Sequence, residues 1–182
     1  RLCLQRAADL SGQTLHLDEI STCARDLGPR ADALRTLLVE SWEDGVLNEG
    51  AAAAQALDAP HALVSLVDID RQYFKSFAGL GELTEKERQT PLNRSVCQYA
   101  VANGTPLILE DARTDPVFKN HPAVLDGTLV AYLGIPLIDG HGNGIGTLCV
   151  YDEKPRLWST GHVQILSDLA ELAAERIFGS RP

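Results

Sequence analysis

The sequence has 182 residues, of which 45% are hydrophobic, and a formal net charge of −9. This length and composition can bury one core, so we expect a single domain with some additional helix. No stretch concentrates Lys and Arg, which argues against nucleic-acid and anionic membrane partners, because both need clustered positive charge. No apolar run reaches the roughly 18 to 20 residues that span a bilayer, and no signal-peptide pattern opens the chain. We therefore expect a cytoplasmic protein.

The four cysteines are widely spaced and form no C-x-x-C pair. This pattern favours reduced thiols over a disulfide scaffold or a zinc ribbon. The chain begins at Arg1 and contains no Met, so we expect it to be a piece of a longer protein.

The first third of the chain predicts helices. Residues 1–30 are expected to form a helical extension or linker, with two short helices, one around Leu4 to Leu10 and one from Asp18 to Leu27. From Ala31 to Leu57, apolar residues recur at helical spacing and predict one long helix. These residues are Leu34, Leu37, Leu38, Trp42 and Val46.

After Pro60 the pattern changes to short β-rich runs. The first two predict a hairpin, and the next segment predicts a helix that stops at Gly104. A short strand follows, and then an irregular segment that contains two prolines. The segments are "ALVSLVDI", "YFKSFAG", "RSVCQYAVANG", "PLILED" and "ARTDPVFKNHPAVLDG".

The last part of the chain predicts two more strands, "LVAYLGIPLI" and "IGTLCVYD", and a helix capped by Ser159 that runs to about Phe178. The complete order of elements predicts an α+β domain whose antiparallel sheet carries its helices mainly on one face.

Glycines alternate from Gly140 to Gly146 between these two strands. A dinucleotide-binding fingerprint requires a helix after the glycines, whereas a strand follows here. A calcium loop requires a bidentate Glu at its twelfth position, where this chain has Val150. We interpret the tract as a hairpin turn.

Few residues form a recognisable catalytic or metal-binding pattern. His121 has no companion at metal-ligand spacing, so we interpret it as a loop residue and predict no metal site. Asp111 and Asp115 are typical of turns, so we predict no catalytic acid–base pair. Cys97 lies near a predicted helix start, where a thiol pKa can be lowered, although burial is the simpler expectation; Cys149 is expected in the core.

Four segments taken together resemble a bacterial GAF domain, here an actinobacterial-type sensory module. They match in order over roughly residues 50–178, and we assign 31–178 to the domain and 179–182 to a tail. The segments are "LVSLVDIDRQYFKSFAGL", "RSVCQYAVANGTPLILEDARTDPVFKNHPAV", "VAYLGIPLIDGHGNGIGTLCVYDEKPRLWS" and "VQILSDLAELAAERI".

The resemblance implies an antiparallel sheet of order 2-1-5-4-3, with the terminal helices on one face and a pocket under loops and short helices on the other. It also implies a regulatory role in a signalling protein such as a histidine kinase or a SpoIIE-type phosphatase. The chain lacks the signatures of cyclic-nucleotide, bilin and methionine sulfoxide reductase members: Gln98 follows Cys97 where bilin binders commonly have His, and residues 105–130 contain no cysteine. The ligand and any cofactor are therefore left unknown.

Our first hypothesis is a non-catalytic sensor that binds an unidentified small molecule. The predicted pocket residues are Phe74, Ser76, Cys97, Phe118, His121, Tyr132 and Thr147. The alternative is a small thiol redox enzyme or redox sensor that uses Cys97, with Cys149 as a candidate partner.

The terminal helices carry more apolar surface than one sheet contact requires, which predicts a homodimer. The expected interface residues are Leu34, Leu38, Trp42, Ile165, Leu169 and Leu172. A covalently linked effector domain would receive the signal.

Overall fold

A computed structural model describes residues 49–84 and 86–179. The predictions for the first 48 residues, including those for Leu34, Leu38 and Trp42, lie outside these described ranges. The helices are α1 (Glu49–Ala56), α2 (Cys97–Asn103), α3 (Pro122–Leu125) and α4 (Thr160–Phe178), with a 3-10 turn at Leu92–Arg94. The strands are β1 (His61–Val67), β2 (Arg71–Ala78), β3 (Gln89–Pro91), β4 (Leu107–Leu109), β5 (Ala131–Ile138) and β6 (Gly144–Asp152).

The strands form one antiparallel sheet of order β3-β2-β1-β6-β5-β4. Without β3, the remaining strands follow the order that the resemblance implied. The short β3 adds a sixth strand at the edge, where it pairs with the start of β2. The predicted α+β fold is confirmed, and the sheet is one strand wider than expected.

Alternation along β1 divides the core into two layers. Leu63 and Val67 pack beneath α2 and the irregular segment, whereas Ala62 and Val64 pack against α1 and α4. Both helices that precede and follow the sheet therefore cover one face, and the other face is left to the connections between strands.

Helix α4 is defined by its N-terminal cap and its apolar stripe. The Ser159 side chain accepts a hydrogen bond from the backbone N–H of His162, and the His162 side chain accepts one from the backbone N–H of Ser159. Leu166, Ala170 and Ala173 are buried against the sheet. Burying a leucine side chain contributes about 1.5 to 3 kcal/mol, so this stripe holds the helix on the sheet. The predicted helix is confirmed.

A β-bulge changes the direction of side chains along β2. Ser76 pairs with Val64, but Phe74 pairs with Ser65, so Lys75 is the extra residue of the bulge. Phe74 therefore faces the irregular segment, while Ser76 faces α1, where its hydroxyl lies beside Gly50. The prediction that both residues share the pocket face is wrong for Ser76, because the bulge breaks the alternation on which it rested.

The glycine tract is a hairpin turn, as predicted. The Asp139 carboxylate accepts hydrogen bonds from the backbone N–H groups of His141 and Asn143. Gly142 has a φ of 82°, a conformation that glycine adopts without strain. Within the described residues, no helix is long and apolar enough to cross a membrane.

Candidate functional site

A cavity of about 110 Å³ lies between the sheet and the segment that covers it. Five strands (β1, β2, β3, β5 and β6) supply its floor, α2 and the 3-10 turn supply one wall, and α3 and the following loop supply the roof. The lining residues are Leu63, Gln72, Phe74, Thr90, Arg94, Val96, Cys97, Ala123, Thr128, Leu129, Tyr132, Cys149 and Tyr151.

Three of the predicted pocket residues, Phe74, Cys97 and Tyr132, line this cavity. Thr147 does not, because it lies deeper in the sheet, where its hydroxyl is 3.1 Å from that of Ser65 and both residues are fully buried. The structure thus places Thr147 beneath the floor of the cavity.

Phe118 and His121 form part of the cover and are not among the lining residues. The Phe118 ring packs edge-on against Tyr99 at 4.7 Å between ring centroids. His121 caps α3, since its Nδ1 accepts a hydrogen bond of 3.2 Å from the backbone N–H of Ala123. Phe118 and His121 therefore belong to the segment that covers the cavity, and they pack behind the residues that line its roof.

Two cysteines meet on the floor of the cavity. Cys97 at the start of α2 and Cys149 in β6 place their Sγ atoms 3.8 Å apart, and both thiols are free and buried. The Gln72 amide donates to Cys97 Sγ at 3.2 Å, and the Tyr132 hydroxyl donates to it at 3.3 Å.

These contacts favour the thiolate form of Cys97. Burial raises its pKa, but hydrogen bonds from Cys149, Ser65, Thr147 and Tyr132 outweigh burial and lower the pKa to about 6. The pKa of Cys149 is raised well above its ordinary value, because the Cys149 thiol donates a hydrogen bond to Cys97 and is buried. Of the two sulfurs, Cys97 is therefore the one that ionises first.

An ion pair lies at the rim. Arg94 lines the cavity and bonds the Asp126 carboxylate, which comes from the end of α3. Hydrogen bonds from Thr128 and Arg94 lower the pKa of Asp126 to about 2. The ion pair therefore connects the end of α3, in the roof of the cavity, to the 3-10 turn in its wall.

Sequence reasoning missed several lining residues. Gln72 is a polar residue inside a strand that is otherwise apolar on its cavity face, and that contrast was a usable signal. Arg94, Thr128 and Leu129 lie in irregular segments, which have no periodicity to indicate the direction of a side chain. Only the folded cover brings them to the cavity.

Among the described residues, no three His, Cys, Asp or Glu side chains are grouped so that they could hold a metal ion. A second, open depression of about 190 Å³ lies between β5 and the C-terminal half of α4, on the opposite face of the sheet. It contains none of the predicted pocket residues, so the cavity beside Cys97 is the candidate site.

Comparison with known proteins identifies the type of domain. The family model described as "GAF domain" matches residues 50–177. A cyclic di-GMP phosphodiesterase of Pseudomonas aeruginosa is 36% identical over 143 residues, which are 77% of this chain and 24% of that protein. The chain thus corresponds to about a quarter of its curated relative.

Solved structures show the same fold at lower identity. The GAF domain of an Acinetobacter phosphoenolpyruvate-protein phosphotransferase has a TM-score of 0.58 at 18% identity, covering 82% of this chain and 92% of that one. The free methionine-R-sulfoxide reductase of Neisseria meningitidis has a TM-score of 0.56 at 23% identity, with coverages of 86% and 89%.

Proposed function

Because the chain belongs to the GAF family, we propose that it is the sensory module of a signalling protein and binds a small molecule in the cavity beside Cys97. The observation that carries this proposal is the position of the cavity, which lies between a rigid sheet and a cover built from irregular chain. Binding sites are concave, mostly apolar and furnished with a few polar groups. This cavity meets that description.

The size of the cavity restricts the ligand. Its 110 Å³ is smaller than the roughly 150 Å³ of an engineered cavity that binds benzene, and far below the roughly 300 to 1,000 Å³ of drug-sized sites. We expect a molecule of only a few non-hydrogen atoms. A nucleotide or a bilin would require the roof to move.

The lining also restricts the chemistry. Phe74 and Leu129 offer apolar contact, while Gln72, Thr90 and Tyr132 offer hydrogen bonds. The lining contains no Asp, Glu or His, so it provides no carboxylate or imidazole for acid–base catalysis. A binding role that depends on shape and hydrogen bonding is the better match.

The output belongs to the rest of the parent protein. The 36% identity to part of a cyclic di-GMP phosphodiesterase supports a place in bacterial signalling. We propose that the domain forms a homodimer through α4, whose Ile165 and Leu172 are 41% and 49% exposed. Leu169 completes this row, and Leu34, Leu38 and Trp42 are the proposed contribution of the preceding helix.

Thermal unfolding of the whole chain with a panel of small metabolites tests ligand binding. Ala123→Leu adds an isopropyl group to a side chain that lines the roof of the cavity. The larger side chain should fill part of the cavity. Ala51→Leu makes the same change at an exposed position of α1 and is the matched control. A ligand at 100 times its dissociation constant stabilises the folded state by about 2.7 kcal/mol.

We expect at least one compound to raise the melting temperature of the wild-type and Ala51→Leu chains, and to have no effect on Ala123→Leu. Stabilisation that is equal in all three chains would place the ligand elsewhere. A panel without effect on the wild type would remove the support for a small-molecule sensor.

A further inference from the structure

The two cysteines that line the cavity can react with each other whether or not a ligand binds there. We propose that Cys97 and Cys149 form a dithiol that peroxide oxidises to a disulfide across the floor of the cavity. The geometry that carries this proposal is the direct contact of the two sulfurs, 3.8 Å apart, on two different elements.

The sulfurs are already close to bonding distance. A disulfide bond is about 2.05 Å long, so the two atoms must approach by a further ~1.8 Å. Cys97 starts α2 and Cys149 lies within β6, the strand between β1 and β5. Rotation of the two short side chains toward each other would break the hydrogen bonds that Gln72 and Tyr132 donate to Cys97.

The cavity gives an oxidant access to both atoms. Cys97 and Cys149 are 2% and 0% exposed to solvent, yet both line the same cavity. Hydrogen peroxide consists of two oxygen atoms and their hydrogens, so the 110 Å³ space accommodates it. The site selects a small oxidant, since a protein disulfide or glutathione disulfide is too large to enter the 110 Å³ space.

The surroundings of Cys97 assign it the first step. Hydrogen-bond donors point at its sulfur from β2 and β5, through Gln72 and Tyr132. Hydrogen bonding to the charged form favours that form, and the thiolate is the nucleophile in thiol chemistry. The lowered pKa of Cys97 agrees with this assignment, although burial opposes it.

The reaction balances with peroxide as the only co-reactant. The Cys97 thiolate attacks one peroxide oxygen, a sulfur–oxygen bond forms, the oxygen–oxygen bond breaks, and the departing hydroxide takes a proton to leave as water. The Cys149 thiol then attacks the sulfur of the resulting sulfenic acid. A sulfur–sulfur bond forms, the sulfur–oxygen bond breaks, and the hydroxide leaves as water with the proton of Cys149. Two electrons pass from the two thiols to one peroxide.

The test uses the whole chain with Cys3→Ser and Cys23→Ser, which remove the two cysteines that lie outside the described residues. After treatment with hydrogen peroxide, non-reducing mass spectrometry should show the loss of two hydrogen atoms. Proteolysis should yield a peptide pair linked through Cys97 and Cys149, and dithiothreitol should separate it.

Single substitutions test the order of the steps in the same background. With Cys149→Ser, we expect a sulfenic acid at Cys97 that dimedone captures. With Cys97→Ser, we expect dimedone labelling of Cys149 to fall at least tenfold below that. Circular dichroism of each variant checks that it is folded.

Two results would overturn the proposal. One is that both thiols can still be alkylated after peroxide treatment and unfolding of the chain. The other is that oxygen accumulates on either cysteine without the linked peptide. Both can be read from the protein that retains Cys97 and Cys149, so the conclusion does not depend on core variants that fold poorly.

Discussion

His121 is a buried side chain that holds the roof of the cavity in place. It is 1% exposed, and its Nδ1 accepts the backbone N–H of Ala123 at the start of α3. Burial lowers the pKa of His121 and the Arg94 charge lowers it further, against the opposing effects of the Ser95 carbonyl and Asp126. The folded state therefore favours the neutral form of the His121 imidazole.

This residue should make the fold sensitive to acid. Because the pKa of His121 is lower in the folded state than its ordinary 6.5, the unfolded chain takes up the proton first as the pH falls. Its contribution to stability is complete above about pH 6.5 and is lost as the pH falls toward the lower, folded-state pKa. We expect the free energy of unfolding of His121→Gln to change less steeply with pH than that of the wild type. The difference between the two slopes should be up to about 1.4 kcal/mol per pH unit.

Urea unfolding between pH 5 and 7.5 measures this effect. Phe118→Leu, a change in the same cluster without a titratable group, should lower stability by a similar amount at every pH. Identical slopes for the wild type and His121→Gln would show that His121 does not couple folding to pH.

Gly146 lets β6 lie close to β1. A Cβ at this position would be 2.0 Å from the carbonyl oxygen of Ser65, which is backbone and cannot rotate away. We expect Gly146→Ala to reduce the free energy of unfolding by about 2 to 4 kcal/mol. Gly140→Ala is the control, since nothing lies within 4 Å of a Cβ there, and it should change stability by less than about 0.5 kcal/mol. Equal denaturant midpoints for the two variants would contradict this role.

The helices and strands that were predicted from the sequence are those with a long, regular hydrophobic pattern. Helix α4 has both a cap at Ser159 and an apolar stripe, and β5 and β6 are long apolar runs, so periodicity was sufficient. The strand β3 is only three residues long and is held by backbone pairing with β2, which no side-chain pattern reveals. The bulge at Lys75 was not predicted for a similar reason, because a bulge depends on the pairing with the neighbouring strand and not on the residue itself.

The candidate site was predicted only in part for the same reasons. Phe74, Cys97 and Tyr132 lie on regular elements, and they line the cavity. Phe118 and His121 lie in the irregular cover and do not line it. The path of an irregular segment is decided by tertiary contacts, such as the packing of Phe118 on Tyr99.

Helix α4 leads to a prediction about assembly. Its outer row contains the exposed Ile165 and Leu172 and the half-buried Leu169, and burying such a side chain at an interface contributes about 1.5 to 3 kcal/mol. We expect Leu172→Glu to convert a dimer of the whole chain into a monomer, because a charge would be buried beside its own copy. Leu157→Glu is the matched control, since Leu157 is 80% exposed and lies before α4.

Sedimentation velocity at micromolar concentration distinguishes the species. The wild type and Leu157→Glu should sediment as dimers and Leu172→Glu as a monomer. A wild-type chain that is monomeric throughout this range would end the proposal of a dimer through α4.

At the scale of the whole molecule, the sheet separates two roles. One face carries α1 and α4, which are joined by the ion pair between Glu49 and Arg176 and offer the surface proposed for assembly. The other face carries the cavity, the cysteine pair and the irregular cover. A ligand that binds one arrangement of the cover more tightly than another would shift the equilibrium between the two arrangements. We propose that the sheet would pass that change to the helices.

Native mass spectrometry tests the central claim, that the cavity beside Cys97 binds a small molecule, most directly. The wild-type, Ala51→Leu and Ala123→Leu chains are each mixed with a low-molecular-weight extract of bacterial metabolites. We expect a noncovalent adduct of one small compound on the wild type and on Ala51→Leu, and no adduct on Ala123→Leu. Three chains without any adduct, or the same adduct on all three, would show that the cavity does not bind a small molecule.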